Sequence, residues 1–192
     1  MEKMFQRAQS LATSKREKCS NRLLSPQNFL QLAADEVERA TRYDRPLTVA
    51  LILVDRLNAI RKADGIAVAE TVLADVTARA IHMLRGPDRA GRLGPGQLGI
   101  LMPETGLKQC SAAVERLCAV VRDAEIETDS GPRTVTLTVG LSALSARRRD
   151  AKAFLMSACF ELRRAQSRGV DEISAAAPDL ATVSIPRNGT VH

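Results

Sequence analysis

The chain has 192 residues, of which 45% are hydrophobic, and it carries a formal net charge of +6. This size predicts a single domain with one substantial core. The sequence contains no apolar run of the roughly 20 residues that a membrane span needs, and its polar first 20 residues do not resemble a signal peptide. Aromatic residues make up only 3% of the chain, which argues against a nucleic-acid partner, whereas the basic surface suits a small anionic ligand.

Apolar periodicity and turn residues predict the elements in chain order. They are a helix over 26–42, a strand over 46–54, a helical stretch over 55–85 interrupted near Gly65, strands over 89–93 and 97–102, a helix over 107–124, a strand over 134–139, a helix over 151–168 and a short strand over 171–174. Ser25 and Pro26 supply an N-cap and a first-turn proline for the first helix, and Gly169 ends the last one. Pro95 followed by Gly96 fits a type II turn between the two central strands.

Helices and strands in this mixed order predict an α/β fold of the α+β sandwich type, with a central, mostly antiparallel sheet flanked by helices. We expect this domain to cover residues 21–174. Residues 1–20 are interpreted as a leader that could form a charged helix, and residues 175–192 as a disordered tail.

The cysteines and histidines predict no metal or acid–base site. The four cysteines lack the spacing of metal ligands, and His82 and His192 are the only histidines. Cys110 and Cys118 lie eight residues apart in a helical pattern, the spacing of two residues on one buried face. We interpret them as reduced thiols of the core and accordingly expect a cytoplasmic location.

The segment Arg92–Leu98, followed by the apolar strand Gly99–Pro103, resembles the signature hairpin of the GGDEF diguanylate cyclase family. The resemblance extends over about 21–174 and implies a fold related to the palm of nucleotide cyclases. In that family the third and fourth residues of the turn are carboxylates, whereas this chain has Gly96 and Gln97 there. The resemblance therefore implies an inherited fold with altered chemistry at the turn.

The family's reaction joins two GTP molecules, and the resemblance implies that two carboxylates hold its metal ions. Those two positions are Leu53 and Gly96 in this chain. The family's two guanine-reading positions correspond to Arg61 and Glu70. Its two phosphate-binding positions correspond to Gln166 and Val170. We expect no cyclase activity and no bound Mg²⁺, because losing one preorganised electrostatic group typically costs about 10²–10³ in rate. The neighbouring carboxylates, interpreted as charges at helix surfaces or N-termini, are Asp55, Asp64 and Glu70.

Nine residues before the turn, Arg85-Gly86-Pro87-Asp88 matches the Arg-x-x-Asp with which the family often binds its product, cyclic di-GMP. A third ligand-contacting Arg of the family corresponds to Arg116. An Arg can donate two hydrogen bonds to guanine O6 and N7, while an Asp accepts from N1–H and the amino group. Gly86-Pro87 predicts a stiff corner that presents both side chains outward. Alternatively, Arg85 and Asp88 pair with each other, and Arg116 lies on a solvated face.

Three functional hypotheses follow. The first is a catalytically inactive GGDEF-like domain that acts as a cyclic di-GMP receptor through Arg85, Asp88 and Arg116. The alternative is a nucleotide-independent interaction or scaffold module of bacterial signalling, in which the leader and the tail contact a protein partner or a second copy of the chain. GTP binding without turnover is a weaker third hypothesis, because most of the family's contacts to that substrate are replaced.

Overall fold

The computed structural model describes residues 23–145 and 150–176 of the chain. Within these residues the elements are β1 (Leu23–Leu24), α1 (Pro26–Tyr43), β2 (Leu47–Val54), α2 (Leu57–Asp64), α3 (Ile66–Met83), β3 (Arg89–Gly94), β4 (Gln97–Pro103), α4 (Leu107–Arg122), β5 (Leu137–Ala143), α5 (Ala151–Arg168) and β6 (Ile173–Ala175). The predicted leader lies outside the described residues, as does the predicted tail from residue 177 onward. Ala175 in β6 and the buried Ala176 fall in the stretch that the sequence assigns to the tail.

The six strands form one sheet in the order β1-β3-β4-β2-β5-β6. The three central pairings, β3 with β4, β4 with β2 and β2 with β5, are antiparallel, while β1 and β6 pair in parallel at the two edges. Helices pack on both faces of this sheet. The predicted fold class, a mostly antiparallel sheet flanked by helices, is confirmed.

Several helix boundaries lie at residues whose capping or helix-ending role can be recognised in the sequence. The hydroxyl of Ser25 accepts a hydrogen bond from the amide of Asn28 at 3.3 Å, and Pro26 occupies the first turn of α1. Asp44 ends this helix in the left-handed conformation, with a φ of 50°. Gly65, with a φ of 92°, separates α2 from α3 at the predicted interruption.

Alternating residues of the sheet divide the core between its two faces. On one face, Phe29 of α1 and Phe154 of α5 are fully buried against the central strands. On the other face, α3 and α4 bury residues such as Val72 and Val114. Gly140 brings α5 directly onto β5, since a Cβ at this position would lie 2.2 Å from the backbone nitrogen of Leu162.

The predicted strand over 134–139 is displaced, because β5 covers Leu137–Ala143. Its pairing with β2 runs from Leu137 opposite Val54 to Ala143 opposite Thr48, so residues 134–136 extend past the end of β2. The short β1, which has two residues, was not predicted.

Cys110 and Cys118 are buried on α4, which confirms their predicted place in the core, whereas Cys159 is exposed on α5. Within residues 23–145 and 150–176, no helix combines the length and hydropathy that crossing a membrane requires.

Candidate functional site

The turn between β3 and β4 brings together the two positions at which the resemblance implies metal-holding carboxylates. Leu53 pairs with Gln97 across β2 and β4, and the amide of Val54 donates to the carbonyl of Gly96 at 2.9 Å. Gly96 has a φ of 74°, as the second central residue of a type II turn requires. A Cβ at position 96 would lie 2.8 Å from Cδ2 of Leu57. Because the side chains of Leu53 and Gly96 contain no oxygen, this pair does not fit a hard divalent cation.

Asp55, the carboxylate next to these positions, is buried and accepts hydrogen bonds from three protein donors. The hydroxyls of Thr136 and Thr138 each donate to it at 2.7 Å, and the amide of Asp171 donates a third bond at 3.0 Å. The interpretation of Asp55 as a helix-surface charge is therefore wrong, because its carboxylate is buried, although the residue does lie directly before Arg56, the N-cap of α2. Its carboxylate joins the end of β2 to the start of β5 and to the loop before β6. Among the described residues, no cluster of three or more His, Cys, Asp or Glu side chains could hold a metal ion.

The two guanine-reading positions belong to a cluster of ion pairs. Glu70 on α3 accepts two hydrogen bonds from Arg92 of β3, at 2.9 and 2.8 Å, and Nη2 of Arg61 lies 3.7 Å from Oε1 of Glu70. The hydrogen bonds from Arg92 lower the pKa of Glu70; partial burial opposes this shift, and the charges of Arg92 and Arg61 add to it. Asp64 of α2 is likewise paired, with Arg133, at 3.0 and 2.9 Å. Both carboxylates are thus helix charges as predicted, but each is bound by an arginine.

The two phosphate-binding positions lie at the exposed end of α5. Gln166 is exposed, and Val170 follows the helix and is half exposed. The next residue, Asp171, accepts a hydrogen bond from Nε of Arg122 at 2.6 Å. Neither Gln166 nor Val170 carries the positive charge that a phosphate contact needs.

Arg85 and Asp88 flank the turn that connects α3 to β3. The backbone amide and Nε of Arg85 donate to Oδ2 of Asp88 at 2.9 and 3.3 Å, and Nη2 donates to Oδ1 at 3.1 Å. The side chain of Asp88 is 4% exposed and that of Arg85 is 56% exposed. The prediction that both side chains point outward is therefore wrong for Asp88, because the hydrogen bonds from Arg85 hold its carboxylate beneath the turn. The two residues pair with each other, as the alternative interpretation states.

The three residues predicted for ligand binding line one cavity of about 210 Å³. Arg85 and Asp88 reach it from the turn after α3, and Arg116 reaches it from α4. Apolar side chains that include Met83 and Leu84 form much of its wall. Arg116 is exposed and makes no hydrogen bond or ion pair within the described part of the chain. The structure therefore brings a paired guanidinium and an unpaired one to the same cavity.

Thr105 is a residue of this cavity that the sequence analysis did not single out. It is buried, and its hydroxyl accepts a hydrogen bond from Nη2 of Arg85 while donating to the carbonyl of Pro103 at 3.0 Å. Its own carbonyl accepts from the hydroxyl of Thr48 at 2.7 Å. A lone threonine after a strand carries no motif, so no signal in the sequence could have found it.

The sequence matches one known family over most of its length. The family model described as "Diguanylate cyclase, GGDEF domain" matches residues 21–172. The chain belongs to the GGDEF domain family. The Arg85–Asp88 turn and the β3–β4 hairpin both lie inside the matched region.

Similar curated proteins include the probable diguanylate cyclases DgcE and DgcC of Escherichia coli K12. DgcE is 20% identical to this chain over 139 residues, and DgcC is 23% identical over 143 residues. The two alignments cover 72% and 74% of this chain but only 13% and 38% of the relatives. The chain therefore spans well under half the length of these relatives.

Solved GGDEF domains share the fold. The domain of TpbB (YfiN) from Pseudomonas aeruginosa has a TM-score of 0.77 at 22% identity, over 81% of this chain and 91% of that one. The domain of DgcB from Caulobacter crescentus, solved in complex with c-di-GMP, has a TM-score of 0.76 at 14% identity, over 80% and 88% of the two chains. SiaD from P. aeruginosa, solved with its activator SiaC, has a TM-score of 0.76 at 23% identity, over 91% and 68%.

Proposed function

We propose that this GGDEF domain is a cytoplasmic receptor that binds cyclic di-GMP and does not synthesise it. The observation that carries the proposal is the convergence of Arg85, Asp88 and Arg116 on one cavity. Guanidinium groups suit this ligand because they donate to guanine O6 and N7 and attract its phosphates. DgcB, a structural neighbour, was solved with the same ligand.

The energetics require both arginines. A good bidentate contact to a guanine edge contributes about 1–3 kcal/mol, whereas a micromolar Kd corresponds to about 8 kcal/mol. The remainder must come from phosphate contacts and from burying the base against the apolar wall, at about 25 cal/mol per Å². We therefore expect a micromolar affinity that collapses when either Arg85 or Arg116 is removed.

The loss of synthesis is inferred from four positions. Leu53 and Gly96 offer no metal ligand, Asp55 is occupied by three protein donors, and Glu70 is held by Arg92. Two-metal phosphoryl transfer needs cations to stabilise the attacking and leaving oxygens. Without side chains to hold those cations, we expect no conversion of GTP and no requirement for Mg²⁺.

A second candidate function is a nucleotide-independent interaction module, which binds a protein partner or a second copy of the chain. The observation that favours it is the Arg85–Asp88 pair, whose hydrogen bonds are satisfied without any ligand. Under this candidate, partner binding is insensitive to cyclic di-GMP and to Arg85→Ala.

The two candidates are separated by parallel calorimetric titrations with cyclic di-GMP and with GTP plus Mg²⁺, together with chromatography of the GTP mixture. The receptor proposal expects heat with cyclic di-GMP only and no product from GTP. Formation of cyclic di-GMP from GTP contradicts the proposed loss of synthesis. The absence of heat with cyclic di-GMP favours the interaction module, and binding of GTP alone favours the third hypothesis.

A further inference from the structure

We infer that the exposed side of α5 is a docking surface for an amphipathic helix of a partner protein, in which acidic residues flank an apolar stripe. This side of the helix, which we call the α5 surface, consists of Lys152, Met156, Cys159, Phe160, Arg163 and Arg164. It lies on the opposite face of the sheet from the cavity of Arg85 and Arg116. The inference therefore goes beyond the receptor proposal and does not depend on it.

Two large apolar side chains of the α5 surface are largely exposed to solvent. Met156 is 60% exposed and Phe160 is 67% exposed. Because they lie four residues apart, they project from successive turns of one helix face, on the side opposite to the buried Phe154 and Ala158. Side chains with this spacing form the ridge through which helices most often pack against one another. The apolar part of the surface is thus one helix wide, as a helical partner requires.

The charged residues of the α5 surface are all basic. Lys152 precedes the apolar ridge by one turn, and Arg163 and Arg164 follow it by one turn. The single carboxylate in the sequence of α5, Glu161, is buried, and Nη1 of Arg164 approaches it only to 3.9 Å. Lys152 and Arg163 form no ion pair within residues 23–145 and 150–176. Carboxylates that a partner places on both sides of its apolar stripe would pair with these cations.

The ridge has a rigid support. Asp150 accepts hydrogen bonds from the amides of Lys152 and Ala153 at 3.1 and 2.9 Å, so its carboxylate is engaged in capping α5. Phe154 is fully buried beneath the helix, and Gly140 of β5 allows α5 to pack directly on the sheet. A partner that docks here does not have to order the helix first, which lowers the entropic cost of association.

Charge favours this partner over two other occupants. A second copy of the α5 surface would place basic residues against basic residues, which repel one another. An anionic membrane would also contact α1, because Glu38 of α1 and Ala151 of α5 line one groove on this face of the sheet. α1 carries three acidic residues and two basic ones, and the side chain of Glu38 is 72% exposed. Lipid phosphates would be repelled there, whereas a single helix contacts α5 alone.

The experiment uses the exposed thiol of Cys159, next to Phe160, as an attachment point for synthetic peptides. Three helical peptides, each with one cysteine supplied as a mixed disulfide with β-mercaptoethanol, are equilibrated with the full chain. The first carries a leucine stripe flanked by glutamates, the second carries the same stripe flanked by lysines, and the third keeps the glutamates but has alanines in place of the leucines. Peptide mapping by mass spectrometry measures the fraction of Cys159 attached to each. We expect the leucine–glutamate peptide to reach half attachment at a concentration at least about tenfold lower than either of the others.

Matched variants test whether the ridge and its flanking charges cause this preference. Phe160→Ser should abolish the advantage of leucine over alanine, whereas Leu30→Ser, which removes an exposed apolar side chain of α1, should leave it unchanged. Arg163→Glu combined with Arg164→Glu should reverse the charge preference, so that the lysine peptide attaches better than the glutamate peptide. Because each variant is compared across all three peptides, a general change in the reactivity of Cys159 does not alter the result.

Equal attachment of the three peptides to the wild type overturns the inference, and so does a preference that Phe160→Ser leaves intact. Sedimentation of the chain with phosphatidylglycerol vesicles that Phe160→Ser prevents would assign the surface to a membrane. A dimer that the same variant dissociates would assign it to a second copy of the chain. Either result overturns the proposed partner. None of these measurements involves a nucleotide, so the receptor proposal is tested separately.

Discussion

Arg92 on β3 and Glu70 on α3 form a two-fold hydrogen-bonded ion pair, with N–O distances of 2.9 and 2.8 Å. The resemblance to the family implies that the residue at position 70 reads the guanine of the substrate. A carboxylate that reads guanine must accept from the base, and this one already accepts from an arginine of the same domain. We therefore propose that Glu70 stabilises the fold by pairing with Arg92 and does not contact a guanine base.

Glu70→Gln should lower the free energy of unfolding at pH 7 by about 0.2–1 kcal/mol, the range for a solvent-accessible ion pair. The pKa of Glu70 lies below its ordinary value of 4.5, so the pair stabilises the fold above that pH and loses its effect as the pH falls through the lowered pKa. Urea unfolding at pH 7 and pH 3 should therefore show that the difference in unfolding free energy between Glu70→Gln and the wild type is smaller in acid. Glu127→Gln, which changes an exposed carboxylate, is the control. If Glu70→Gln differs from the wild type in unfolding free energy as much at pH 3 as at pH 7, Glu70 does not stabilise the fold through its ion pair.

Asp55→Ala should destabilise the domain by about 3 kcal/mol, because it leaves buried donors without their acceptor. The hydroxyls of Thr136 and Thr138 lose their hydrogen bonds, and the loop that carries Asp171 loses its attachment. Urea unfolding measures the change. Asp123→Ala, at an exposed position, should stay within about 0.5 kcal/mol of the wild type. Equal stabilities of the two variants would show that Asp55 is not a structural acceptor.

Gly96→Ala should destabilise the domain by about 1–2 kcal/mol, because residue 96 has a positive φ that L residues adopt at a cost. The new Cβ would also press on Leu57 at 2.8 Å. Gly86→Ala is the matched control, since a Cβ there meets nothing within 4 Å. Thermal unfolding of the two variants side by side tests this; a Gly96 variant as stable as the Gly86 variant would contradict the turn geometry.

Cys159 should react with iodoacetamide at pH 8 in the native protein, while Cys110 and Cys118 react only after unfolding. Burial raises the pKa of Cys110 to about 12 and that of Cys118 to about 11, so neither forms the nucleophilic thiolate at pH 8. Peptide mapping by mass spectrometry identifies each labelled site. Labelling of Cys110 as fast as Cys159 in the folded protein would contradict its place in the core.

Local signals in the sequence predicted most of the fold. Ser25 and Pro26 determine where α1 begins, and Gly65 determines where α2 ends. The turn at Pro95-Gly96 connects β3 to β4. Each of these residues acts through its own backbone or its immediate neighbours, so its structural role can be predicted from the local sequence. The displaced β5 differs because its ends depend on where β2 stops pairing, which is a tertiary property.

The candidate site was predicted less completely for the same reason. The spacing of Arg85 and Asp88 was visible, but the burial of Asp88 is a property of the folded turn, in which Arg85 donates to its carboxylate. Asp55 accepts its hydrogen bonds from residues 81 or more positions away, and Thr105 accepts from Arg85, which lies 20 residues away, although it also donates to the nearby Pro103. Partners that are distant in sequence give no local signal of a residue's role.

The central claim is tested most directly by titrating cyclic di-GMP into the wild-type domain, Arg116→Ala and Arg42→Ala. Arg42 lies on α1, on the opposite face of the sheet, where it pairs with Glu38 at 2.6 Å. The account predicts a Kd of about 1–10 μM for the wild type and for Arg42→Ala, corresponding to roughly 7–8 kcal/mol, and no measurable binding for Arg116→Ala. Equal binding by all three proteins, or no heat from the wild type at several hundred micromolar ligand, would contradict it.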